Sequence, residues 1–257
     1  MPTEVRRRHA WAGGVLGFAL GGFFDGILLH QILQWHHLLS AIDREDIRFQ
    51  VAADGYFHAL MYLIGSIGIW MLWRSRDDSR RASGRLLFAA ILIGFGTWHI
   101  VDAMLSHWLL GIHRIRMDSA SPLFWDLLWL GLFGVVPLII GRMMSLPGDD
   151  DGAPVSRSPA TARLWATLLV LGASALSFWP LRGSEFTTIM FPPGVGQERI
   201  FRAIAAVDAQ LMWMDHSGEL LVVRLTEGRS GWKLFGHGAI LVAGAGLPPG
   251  CFTYLRT

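Results

Sequence analysis

The stretch Leu86 to Leu110, LLFAAILIGFGTWHIVDAMLSHWLL, decides how the chain is read. Its twenty-five residues carry one acidic side chain and no arginine or lysine, which is long and apolar enough for a helix to cross about 30 Å of hydrocarbon. Yet it holds His99, Asp102 and His107 near one end, and polar groups inside a span are costly enough to mark function. Four more stretches have the same character: Trp11 to Leu33, Tyr56 to Trp73, Leu123 to Ile140 and Leu164 to Leu181. Composition agrees, with 52% hydrophobic and only 16% charged residues and a mean hydropathy of +0.40. Ordinary soluble domains carry about 25% charged residues, so the whole chain reads as an integral membrane protein. The lack of a collagen or heptad repeat, and a single cysteine, Cys251, exclude fibrous and disulfide-built scaffolds.

Direction follows from arginine, because Lys233 is the only lysine. One set of segments between spans holds Arg6, Arg7, Arg8, Arg74, Arg76, Arg80, Arg81, Arg85, Arg142, Arg157 and Arg163, eleven in all. The opposite set holds four: Arg44, Arg48, Arg114 and Arg116. By the positive-inside rule the N-terminus is cytoplasmic and the C-terminus lies outside. Such clusters orient a membrane protein and give no reason to expect nucleic acid as a partner; the expected partners are the lipid bilayer and other membrane or periplasmic subunits. The first span, although preceded by arginines, is too long for a signal peptide and ends in Gln31, Gln34, His36 and His37 with no small-residue cleavage site.

These signals divide the chain into a four-span unit over 1–142, a cytoplasmic linker over 143–163 with Asp149, Asp150 and Asp151, a fifth transmembrane helix over 164–181, and a small periplasmic domain over 182–257. In the last, Thr187 to Phe191, Gln210 to Met214 and Leu220 to Leu225 read as strands and Gln197 to Val207 as a helix. The expected fold is therefore mainly α: a four-helix transmembrane bundle, a fifth span and a small α+β extracytoplasmic C-terminal domain. The apolar run Gly236 to Gly246 is too short to span and is expected to be buried in that domain.

With the topology drawn, seven of the ten histidines gather at the outer ends of neighbouring spans: His30, His36, His37, His58, His99, His107 and His113. Asp25, Asp54, Asp102 and Asp126 lie at the same depth. Asp54 and His58 are four apart and His99 and Asp102 three apart, so each pair shares a helix face, and His30 and His37 are seven apart. Asp25 and His30 are five apart, about 140° around an α-helix, which predicts that they do not share one centre; Asp25 aligns better with His36. Imidazoles and carboxylates drawn from several helices are ligands for zinc, copper, iron or manganese. The candidate metal ligands are His30, His36, His37, His58, His99, His107, Asp25, Asp54, Asp102 and Asp126, with Asp54 and Asp102 also candidate catalytic bases. A histidine near the end of a span is as readily an interfacial polar residue, and His37 and His113 fit that reading.

Other features are structural in character. Gly13, Gly17 and Gly21, continued by Gly22 and Gly26, form a small-residue ladder for close helix packing, and the tryptophans suit an interfacial belt. Gly194-Val-Gly196 is half a phosphate loop without its context. Met190, Met212, Met214, His216, His237 and Cys251 are soft donors that could take Cu(I), although His216 precedes an expected hairpin turn at Ser217 and Gly218.

The motif Gly22-Phe-Phe-Asp-Gly-Ile-Leu-Leu-His-Gln-Ile-Leu-Gln-Trp-His-His37, with Asp54-Gly-Tyr-Phe-His58 and His99-Ile-Val-Asp102, resembles a bacterial family of membrane proteins catalogued as domain of unknown function 2243. The likeness covers about Trp11 to Arg142. It implies a four-helix unit with histidine and aspartate motifs in a bacterial inner membrane, and no activity to transfer. Four functions stay open: a protein that binds a transition metal or haem and handles copper or haem for a respiratory enzyme; a zinc-dependent intramembrane hydrolase; a b-type cytochrome or other electron-transfer subunit; and a metal-free accessory subunit whose polar groups specify packing.

Overall fold

The computed structural model describes residues 3–33, 35–42, 47–75, 84–146, 159–178, 186–225, 231 and 233–243. The expectations for Gln34, Arg44, Arg76, Arg80, Arg81, Asp149 to Asp151, Arg157 and Cys251 lie outside these residues. The chain divides into two compact units, Met1–Ser177 and Phe178–Thr257.

The first unit is helical. Helix α1 (Thr3–Asp25) runs on into a π-helical stretch, Gly26–Ile32, and α3 (Gly84–Asp102) into another, Ala103–Leu109. Between them lies α2 (Ile47–Arg74). The fourth span is composite: α4 (Pro122–Trp129), a π-helical stretch Leu130–Val135, and α5 (Val136–Ser145). Pro137 has no N–H and its ring clashes with the carbonyl four residues back, so a widened turn just before it relieves a regular helix of that conflict. Helix α6 (Pro159–Phe178) completes the unit, and among the described residues five helical segments are long and apolar enough to cross a membrane.

Helices α1 and α3 form the centre. A Cβ on Gly17 would strike the Ile91 carbonyl, and one on Gly94 the Gly14 carbonyl, so the two backbones meet at a distance only glycine permits. Around this crossing, Ala12, Leu16, Leu72, Leu87, Ile91, Ala166 and Val170 make an apolar core that includes α6. The flanking helices turn apolar side chains outward: Leu123, Phe124, Leu127, Leu132, Ile139 and Ile140 along the composite fourth span, and Leu164, Trp165, Leu168 and Leu169 on α6. A face of this kind is stable only against lipid.

The second unit is α+β. Strands β1 (Phe186–Met190), β2 (Ala209–Met214), β3 (Leu220–Leu225) and β4 (Leu241–Ala243) form an antiparallel sheet in the order β2-β3-β1-β4. Helix α7 (Gln197–Ala206) packs Ile200, Ala203 and Ile204, at helical spacing, against Ile189, Leu221 and Val223. A short helix, α8 (Lys233–Gly236), precedes β4 and supplies Leu234 to the same core; within the apolar run read from the sequence, Ala239 is buried and Ile240 exposed. Asp215 Oδ1 accepts from the Glu219 and Leu220 amides and closes the β2–β3 hairpin, with Gly218 at φ +74°. The half phosphate loop is a turn whose Gly194 amide donates to Glu219 of the same unit, at 2.9 Å.

Candidate metal centre

The two π-helical stretches build the site. Each begins directly after an aspartate, Asp25 in one helix and Asp102 in the other, and each carries a histidine five residues on, His30 and His107. In a π-helix the hydrogen bonds run from i to i+5, and the wider turn brings residues five apart almost over one another. The 140° separation expected for Asp25 and His30 is thus corrected, because it assumed an α-helix. After each stretch the chain leaves the helix and brings in a second buried histidine, His36 or His113. Asp25, His30 and His36 offer ligand atoms that all lie within 4.8 Å of one another, and so do Asp102, His107 and His113.

The outer contacts of the two triads correspond. His30 Nδ1 faces Asp54 Oδ1 at 3.2 Å, and His107 Nδ1 faces Asp126 Oδ1 at 3.2 Å. His36 Nδ1 donates to the Ile115 carbonyl at 2.9 Å, and His113 Nδ1 to the Leu38 carbonyl at 2.8 Å, each bond crossing into the other half. Asp54 accepts from the Leu38 amide at 2.8 Å and from His37 Nδ1 at 2.7 Å; Asp126 accepts from the Ile115 amide at 3.0 Å and from Arg114 at 2.7 Å. Residues 25, 30, 36, 37 and 38 recur 77 positions later as 102, 107, 113, 114 and 115. The Gly17 and Gly94 contacts with Ile91 and Gly14 obey the same offset. The bundle is a pseudo-two-fold repeat with His36 and His113 stacked at its centre, ring centroids 4.5 Å apart and planes within 6°.

A carbonyl can only accept, so His36 and His113 carry their proton on Nδ1 when neutral and present a lone pair at Nε2. Both Nε2 atoms are buried without a hydrogen-bond partner, as are both ring nitrogens of His30 and of His107, Asp25 Oδ1, and the Nε2 atoms of His58 and His99. His107 Nε2 and His113 Nε2 do converge on the Asp102 carboxylate, at 3.1 and 3.5 Å. Burial, then the charges of His113 and His30, hold His36 well below the usual imidazole range, which keeps its lone pair free. Buried imidazoles that face a carboxylate or carbonyl through Nδ1, with Nε2 turned to Asp102 in the second triad, are arranged as metal-bound histidines are.

The remaining candidates sit beside the triads. His58 Nδ1 donates to the Asp54 carbonyl at 2.9 Å, and its Nε2 packs where a Cβ on Gly26 would come within 2.6 Å. His99 accepts from Trp129 Nε1 at 3.2 Å inside a ring of Phe24, Phe95 and Phe133. His37 serves Asp54. Sequence reasoning left His113 at the interface, yet it is buried in the second triad; the repeated spacing Asp-x4-His-x5-His is the signal that finds it. Met61 is buried against Gly22, whereas Met104 is 58% exposed and offers nothing to the triads.

The family model described as predicted membrane protein, domain of unknown function 2243, matches residues 12–147. The chain belongs to this family. In this DUF2243 protein the matched residues contain both triads and the aspartates behind them, while α6 and the second unit lie beyond the match. No curated protein and no solved structure is significantly similar to it.

Proposed function

We propose that this membrane protein binds a transition metal through its Asp–His–His triads. One observation carries the reading: two buried imidazoles and an aspartate gather twice, with His36 and His113 held at Nδ1 by a carbonyl, His30 and His107 facing Asp54 and Asp126 through Nδ1, and neither Nε2 of the first triad hydrogen-bonded. Leaving such groups stranded costs about 1–3 kcal/mol each, and a metal ion removes that cost. Two imidazoles and one carboxylate suit zinc, iron, manganese or divalent copper, and the lack of a sulfur donor in either triad weighs against Cu(I). Three protein donors leave coordination positions open, as in catalytic sites and unlike closed structural ones. The four imidazoles pack ring against ring, with centroids 4.5–4.8 Å apart, which favours an ion over a haem inserted between axial ligands. The arginine distribution supports a bacterial inner-membrane protein with the triads and the C-terminal unit on the periplasmic side.

Elemental analysis of chain purified in detergent without chelator tests this. Metal is expected in the wild type and absent from a His30→Ala, His107→Ala double variant that elutes as the same monodisperse species. A metal-free wild type that takes none up on reconstitution would leave the triads as a packing device.

A further inference from the structure

The two triads can be read as alternative halves of one site or as two sites, and three observations separate these. First, the ligand atoms form two groups; among the described residues no group of three draws members from both triads. Second, His36 and His113 lie parallel, and each is fixed at Nδ1 by a carbonyl of the opposite half. Their stacked rings form a shared wall, so an ion held by His36 has its own aspartate and its own second histidine, and so has an ion held by His113. Third, each triad has a separate carboxylate behind it, Asp54 for His30 and Asp126 for His107.

Charge favours the same arrangement. Asp25, Asp102 and Asp126 are buried and Asp54 nearly so, and since Arg114 already pairs with Asp126, three carboxylate charges in a membrane-embedded bundle await a partner. One divalent ion would leave one of these charges unmet, and a second ion meets it.

We infer that the bundle holds a dinuclear centre, one divalent first-row ion in Asp25, His30 and His36 and a second in Asp102, His107 and His113, on either side of the stacked imidazoles. The inference rests on the metal-binding reading above and adds the number of ions and their separate ligands. His58 and His99 stand beside the pair without a counterpart in the other half: the positions related to them by the repeat are Leu130, aligned through Asp54 and Asp126, and Gly22. The two ions therefore have different surroundings.

The test is titration of metal-stripped full-length chain with Co(II), followed by visible absorption. Two equivalents are expected in the wild type, one in His30→Gln, one in His107→Gln and none in the double variant. One equivalent in the wild type, lost in both single variants, would mean a single ion shared by both triads; one equivalent lost in only one variant would mean a single working triad. Either result overturns the dinuclear centre and leaves metal binding standing. No uptake by the wild type would remove both readings. If the variants fail to fold, the wild-type stoichiometry decides alone, two against one.

Discussion

Asp126→Ala is expected to weaken metal binding by about 10–100-fold, the usual loss when the group behind a metal-bound histidine is removed. Asp126 is fully buried and holds three things at once: His107 through Nδ1, the Ile115 amide and the Arg114 guanidinium. Stranding the buried amide costs about 1–3 kcal/mol. Arg114, partly exposed, turns to solvent and adds little. Ile115 also presents the carbonyl that fixes His36, so the damage reaches the first triad as well. Asp126→Asn separates the two effects: its amide oxygen still accepts from Ile115 and keeps the fold, while the lost charge lowers metal affinity. Competition with a chromophoric chelator reads the affinity, and thermal inactivation in detergent reads the fold. The Asp54 variants should behave alike, since Asp54 holds His30, His37 and the Leu38 amide. Unchanged affinity in Asp126→Asn and Asp54→Asn would show that these carboxylates do not support a metal site.

Gly94→Leu is expected to abolish the assembled bundle. The glycine meets the Gly14 carbonyl, a backbone group that cannot swing aside as a side-chain tip can, so α1 and α3 must separate. Separation pulls Asp25 and His30 away from Asp102 and His107, and metal is lost together with monodispersity. Gly14→Ala is the control, because nothing lies within 4 Å of a Cβ there, and it should retain both. A Gly94→Leu protein that stays monodisperse and binds metal would contradict the central crossing.

Much of this was legible in the sequence and some was not, for identifiable reasons. The spans follow from apolar length, and the observed helices start and end within a few residues of the expected ones, apart from the earlier starts of α1 and α2. Strands β1, β2 and β3 of the C-terminal unit follow from alternation and from the Ser217–Gly218 turn, whereas β4 lies in the run Gly236 to Gly246, which reads only as apolar. The gathering of histidines at one end was also readable, since antiparallel spans bring alternate ends together. What the residue spacing does not reveal is the helix type: a regular α-helix separates Asp25 from His30, whereas the π-helical stretch brings them together. A π-helical turn has no reliable sequence mark, but the doubled Asp-x4-His-x5-His spacing was in plain view, and comparing the two halves would have found His113 and the two-fold arrangement.

X-ray absorption at the edge of the bound metal tests the central claim most directly. The account predicts only nitrogen and oxygen neighbours at about 2.0–2.2 Å, with the outer scattering of two imidazoles per ion and no sulfur near 2.3 Å. Sulfur in the first shell, or a metal without imidazole scattering, would place the ion elsewhere in the chain and contradict the triads as its ligands.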